Sequence, residues 1–190
     1  MKDIQTIDRM EVHAMLDDLS KQKGASYARE IRKHLSILFN WCVDRGICQF
    51  NPIAGMKRRD LKYNPRERVL ELDEISAIWN AGDKTGYPFG PIVQLLILSG
   101  QRRSEIAGLK HSWIYKDYIE IPASEYKTGN SQIIPITDNM IRILEMQPRW
   151  NGGEYIFSAT NGRTSSSGFS KAKKQLDRIS EVENWTFHDI

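Results

Sequence analysis

The sequence predicts a mainly α-helical protein with one small antiparallel β-sheet (α+β), divided into two modules. Three observations predict it. Apolar residues recur at helical spacing along most of the 190 residues. The period changes once, at Tyr118-Ile119-Glu120-Ile121, to the alternation of a half-buried strand. Between two helical stretches, the segment Met56 to Arg68 is basic, holds Asn64-Pro65 and has no apolar period.

The first helix opens at Asp8, where Glu11 three residues later completes a capping box, and Val12, Met15, Leu16 and Leu19 share its apolar face. Gly24 ends it. A second helix is expected from about Ser26 to Arg45, with Ile31, Leu35, Leu38, Phe39 and Cys42 as the buried stripe. Gly46 suits a left-handed cap, and Asn51-Pro52 forbids continuation. Arg29, Lys33 and Ser36 fall on the opposite face, which is either wet or turned toward a nucleic acid. Two helices bury little by themselves, so residues 1 to 62 are expected to be part of a larger helical domain, with the basic linker starting near 56.

The second module is expected over 66–190. A helix covers Leu72–Ala81, with Ile75, Ile78 and Trp79 inward and Gly82 at its stop. A very apolar helix opens at Gly90-Pro91, carries Ile92, Val93, Leu95, Leu96, Ile97 and Leu98, and breaks at Ser99-Gly100. A short helix near Arg102 bears Ile106 and Leu109. The strand at Tyr118 turns at Lys127-Thr128-Gly129-Asn130-Ser131 and returns along Ile133-Ile134-Pro135-Ile136, a sheet within roughly 113–136. Helices resume at Asn139–Met146 and around Phe169, Ala172, Leu176 and Ile179, separated by a Gly/Ser-rich loop at Asn161–Gly168. There is no internal repeat.

Composition sets outer bounds. The longest apolar run, Ile92 to Leu98, is interrupted by Gln94 and is far too short for a membrane span, and the N-terminus has no apolar signal core. A cytoplasmic protein is the expectation. Cys42 and Cys48 lack metal-ligand spacing and read as reduced structural thiols. The net charge of +3 is unevenly spread: residues 1–68 hold 14 Lys/Arg against 9 Asp/Glu, and the rest hold 13 against 15. Lys57, Arg58, Arg59 and Lys62, followed by Arg66 and Arg68, form a basic stripe able to neutralise DNA phosphates and release counterions. A solvated linker has the same composition.

Three short segments can carry chemistry. Ser99-Gly100-Gln101-Arg102-Arg103-Ser104-Glu105-Ile106-Ala107-Gly108-Leu109 places a guanidinium at a tight glycine turn where a helix begins. Arg102 can grip two phosphate oxygens with its planar fork, and Glu105, one turn on, can orient it. Arg103 is expected to face solvent. An exposed Arg–Glu pair would look the same. Lys127, at the hairpin tip, is either a solubilising charge or an extended proton donor. His188, in Thr186-Phe187-His188-Asp189-Ile190, is either a general acid/base or one half of a helix-start pair.

In this order, the three segments resemble the catalytic domain of the tyrosine recombinases, the phage integrase family. Arg102 is similar to the first catalytic arginine of that family, Glu105 to the acidic residue that supports it, Lys127 to the β-hairpin lysine and His188 to the histidine of the second motif. Spacings of 25 residues from Arg102 to Lys127 and 61 from Lys127 to His188 suit the family. Phe39-Asn40-Trp41, Arg45-Gly46 and Asn51-Pro52 resemble the end of its helical core-binding domain, so the resemblance covers essentially the whole chain. Glu71, where a Ser or Thr cap is usual, is a minor departure.

The resemblance implies DNA integration by strand cleavage and rejoining through a 3′-phosphotyrosine, with double-stranded DNA at attachment sites and other recombinase protomers as partners. It implies no cofactor and no metal. A phenol with a pKa of about 10 is a weak nucleophile at neutral pH. Preorganised arginines therefore have to hold the charge that develops on the phosphorane. Lys127 is then the candidate to protonate the departing 5′ oxygen, and His188 to give acid/base support. The family's second arginine and nucleophilic tyrosine would fall beyond Ile190, and all seven tyrosines here precede His188. The 190 residues by themselves are therefore expected to be catalytically inactive and monomeric, as an incomplete catalytic domain behind a partial core-binding domain. The alternative is a DNA-binding accessory or inhibitor. Arg102, Lys127 and His188 are expected to converge on one concave, positive surface.

Overall fold

The computed structural model describes residues 2–56, 68–126 and 129–190. The chain divides into two compact units, Met1–Arg66 and Glu67–Ile190. Lys57, Arg58, Arg59 and Lys62, and likewise Lys127, lie outside the described residues.

In the first unit, a 3-10 turn at Ile4–Thr6 precedes α1 (Arg9–Lys23) and α2 (Ala25–Asp44). The box at the start of α1 is reciprocal: Asp8 Oδ1 accepts from the Glu11 N–H at 2.9 Å, and Glu11 Oε2 from the Asp8 N–H at 3.2 Å. A single residue, Gly24 at φ 91°, joins the helices. Val12 and Leu16 pack on Phe39 and Cys42, with Cys48, Ile53 and Met56 closing the cluster. Phe39, the largest fully buried side chain of this unit, contributes on the order of 3 kcal/mol by leaving water.

Leu38 departs from the expected stripe and is 44% exposed. Ile31, Leu35, Phe39 and Cys42 form a continuous seam at steps of four, four and three residues, and Leu38 stands about 100° round the helix from Phe39. After α2 the chain folds back. Asn51 Oδ1 accepts from the Ile53 N–H at 2.8 Å, and Arg32 Nη2 donates to the Met56 carbonyl at 2.7 Å.

The second unit holds α3 (Leu72–Thr85), α4 (Phe89–Ser99), α5 (Arg103–Ala107), strands β1 (Tyr118–Ile121) and β2 (Gln132–Pro135), α6 (Asp138–Glu145) and α7 (Phe169–Ser180). The strands pair antiparallel with Ile119 opposite Ile134 and Ile121 opposite Gln132. Ile119, Ile121 and Ile134 face inward, and Ile133 is exposed. Helix α4 is apolar nearly all round and sits at the centre, where Ile92, Val93, Leu95 and Leu96 meet Ile78, Ile106, Leu109 and Phe157.

Gly82 does not stop α3, which continues to Thr85. It lies at the contact with α4, where a Cβ on Gly90 would stand 2.2 Å from the Gly82 carbonyl oxygen. The glycine serves a close backbone approach, and helical periodicity alone does not separate that role from a cap. No helix among the described residues is long and apolar enough to cross a membrane.

Candidate functional site

The site begins where α4 stops. Gly100 takes the left-handed conformation at φ 62°, and its N–H returns to the Leu96 carbonyl at 2.8 Å. The chain then extends through Gln101 to Arg102, the residue that caps α5. Glu105 accepts twice from Arg102: Oε2 from the backbone N–H at 3.1 Å and Oε1 from Nη1 at 2.8 Å. The Glu105 side chain is 8% exposed and that of Arg102 51%. The carboxylate is thus held underneath while the guanidinium reaches solvent. The hydrogen bond to Glu105, and then one to Tyr126, push the Arg102 pKa above its already high ordinary value. Its charge is therefore present at every pH the protein meets. Because α5 spans only five residues, the site's positive character rests on the side chain and little on a helix dipole.

Arg103 does not face solvent as expected. Its guanidinium lies 4.7 Å from the centre of the Phe169 ring and 5.9 Å from that of Phe187. These rings belong to an edge-to-face series that runs Phe89–Phe169 (5.3 Å), Phe169–Phe187 (5.6 Å) and Phe187–Trp185 (5.7 Å). Arg103 is half-buried because the partners that stack on it come from α7 and from the segment after it.

His188 is exposed and sits in a turn. Asp189 Oδ2 accepts from the Thr186 N–H at 2.7 Å and from its hydroxyl at 3.2 Å, and the His188 N–H donates to Thr186 Oγ1 at 3.3 Å. A groove of about 330 Å³ is lined by Arg103, Ser170, Lys173, Thr186 and His188, with aromatic walls. The residue after Arg102 therefore touches the residue before His188. Arg102 itself turns the other way, toward the hairpin, and does not line this groove.

On the hairpin side, Arg102 Nη1 donates to the Tyr126 hydroxyl at 2.7 Å, with the guanidinium carbon 5.4 Å from the ring centre. Gln132 Nε2 donates to Gln101 Oε1. Glu125 pairs with Lys110 at 3.3 Å, and Lys110 also pairs with Glu154 at 3.1 Å. Tyr126 is the residue before Lys127. Sequence reasoning missed Tyr126, Gln101 and Gln132. The only sequence signal for Tyr126 is its position next to the Lys-Thr-Gly turn.

Comparison with known proteins gives a coherent result. The model of the phage integrase family matches residues 68–190. The integrase of Enterobacteria phage 434 is 28% identical over 199 aligned residues, which cover 98% of this chain and 55% of that protein. The chain thus spans about half the length of the curated relatives it matches. Among solved structures, a lambda integrase dimer bound to a COC′ core site is 25% identical with a TM-score of 0.74, covering 98% of this chain and 71% of that one. A lambda integrase tetramer bound to a Holliday junction is 26% identical with a TM-score of 0.73, covering 98% and 58%.

Proposed function

The chain belongs to the phage integrase family, and from that premise we propose that it serves site-specific recombination, binding duplex DNA for cleavage and rejoining through a 3′-phosphotyrosine in the complete protein. The observation that carries this reading is Arg102, a half-exposed guanidinium fixed by a buried carboxylate inside the matched region. Arg102 grips the scissile phosphate, supported by Glu105. Lys127 protonates the departing 5′ oxygen, and His188 supplies acid/base support. Lys57, Arg58, Arg59 and Lys62 neutralise backbone phosphates. On this reading residues 1–62 are part of a core-binding domain, and 66–190 are part of the catalytic domain. The same reading has the protein work in the cytoplasm with other protomers as partners. The lambda integrase structures the fold resembles are a dimer on a COC′ core site and a tetramer on a Holliday junction.

No tyrosine follows His188 among these residues. On this reading a polypeptide of these 190 residues is expected to bind DNA without forming a covalent adduct, the behaviour a DNA-binding accessory would also show. A suicide substrate, nicked near an attachment site and analysed on denaturing gels, tests the reading. The 190-residue chain is expected to give no adduct, and the protein carrying the native continuation is expected to give one whose formation Arg102→Ala slows about a hundredfold or more. An adduct from the 190 residues would overturn the assignment of His188 and make one of the seven tyrosines the nucleophile. If the longer protein gives no adduct, the accessory reading stands and catalysis falls.

A further inference from the structure

Arg102 is held from two sides, and only one of them is local in sequence. Glu105, three residues on, occupies the backbone N–H and Nη1. The second hold comes from 24 residues away, where the Tyr126 hydroxyl accepts from the same Nη1 at 2.7 Å. A planar guanidinium hydrogen-bonded through one nitrogen can still pivot about that nitrogen. Two acceptors on Nη1, together with a ring 5.4 Å from the guanidinium carbon, restrict both the pivot and the tilt. Among the described residues, Nε and Nη2 of Arg102 have no hydrogen-bond partner, so the outer edge keeps donors for the two oxygens of a phosphodiester.

Tyr126 is itself well fixed. Its side chain is partly buried against the main core of the second unit. Its N–H donates to the Ala123 carbonyl at 3.4 Å, and its own carbonyl accepts from the Gly129 N–H at 3.0 Å. Glu125, just before it, is paired to Lys110. At the far end of the turn Gln132 reaches Gln101. Both ends of the segment that carries Lys127 are thereby tied to two consecutive residues, Gln101 and Arg102.

We infer that Tyr126 is a positioning residue: its hydroxyl and ring set the plane of the Arg102 guanidinium, so that the free edge of the guanidinium faces a phosphodiester in a fixed orientation. This rests on the reading of Arg102 as a phosphate grip. Tyr126 acts through Arg102 and takes no chemical step of its own.

A double-mutant cycle on the 190-residue chain tests it, with duplex DNA affinity read by fluorescence anisotropy at fixed low salt. Tyr126→Phe keeps the ring and its packing and removes only the hydroxyl. It is expected to weaken binding about fivefold, the equivalent of one hydrogen bond at ~1 kcal/mol. In an Arg102→Ala background the same change is expected to cost nothing. In parallel, nitrogen-15 relaxation of the Arg102 Nε–H in the DNA-free chain is expected to show a more mobile guanidinium in Tyr126→Phe. The inference is overturned if Tyr126→Phe leaves both readouts unchanged, or if its penalty persists without Arg102, which would mark a general fold role. If Arg102→Ala leaves affinity unchanged while Tyr126→Phe still loosens the guanidinium, the phosphate-grip reading falls and the positioning contact stands.

Discussion

The start of α5 and the turn around His188 are both regions where the chain changes direction and presents a cationic or titratable side chain, yet they are built differently. Arg102 has its backbone and its side chain bonded to one buried carboxylate and its Nη1 bonded again to Tyr126. At the other turn, Asp189 accepts from the Thr186 N–H and hydroxyl, and Thr186 Oγ1 accepts from the His188 N–H, while the imidazole is exposed. The guanidinium is held from two sides, whereas at the other turn the hydrogen bonds fix the backbone beside an exposed imidazole. For the roles proposed above for Arg102 and His188, that division suits a phosphoryl transfer, in which electrostatic stabilisation depends on fixed geometry and proton transfer depends on reach.

The largest effect separating the two regions concerns chemistry in the longer protein. Arg102→Ala is expected to slow adduct formation about a hundredfold or more, and His188→Ala by a smaller factor, measured as single-turnover rates on the suicide substrate. A larger loss at His188 would reverse the comparison.

The next effect concerns stability. Glu105→Ala removes an acceptor of two hydrogen bonds and is expected to destabilise the chain by about 1–2 kcal/mol, read from urea unfolding. Asp189→Ala, at an open turn, is expected to cost less. Equal costs would mean that the two turns are equally built in.

The smallest effect sharpens the picture at the His188 end. Arg68 hydrogen-bonds Glu74 and also feels the charge of Asp189. The Arg68 bond, followed by one from the Glu71 N–H, lowers the Glu74 pKa. A carboxylate with a depressed folded pKa contributes stability that is fully present above its unfolded value of about 4.3 and is lost as pH falls through the folded one. The urea midpoint is therefore expected to drop in acid, and Glu74→Gln to flatten part of that drop. An unchanged acid profile in Glu74→Gln would show that the pair contributes nothing to stability.

What the sequence revealed follows the range of the contacts. The Asp8–Glu11 box and the Arg102–Glu105 pair are legible because both partners lie within one helical turn. The sheet is legible because its period differs from everything around it. The neighbours of Arg103 are not legible: Phe169 and Phe187 reach it only once α7 has folded back, and nothing within a few residues of Arg103 announces an aromatic wall. Tyr126 escaped notice for the same reason, and Leu38 because an apolar residue one step off a seam looks like part of it. Lys57, Arg58, Arg59, Lys62 and Lys127 lie outside the described residues, so the roles proposed for them rest on the family alone.

The contact between Gly82 and Gly90 has a consequence far from where it occurs. Helix α4 is a stiff rod with one end resting against the backbone of α3 and the other running into Gly100 and Arg102. From Gly90 to Gly100 is about 15 Å along the axis. A side chain placed at Gly90 would meet a carbonyl oxygen, which cannot swing aside as a flexible side chain would, so the rod itself would have to shift. Its far end would carry the arginine along. A single methyl group buried between two helices can in this way displace a guanidinium it never touches; if Arg102 grips a phosphate as proposed, the resulting defect would look catalytic although its origin is mechanical.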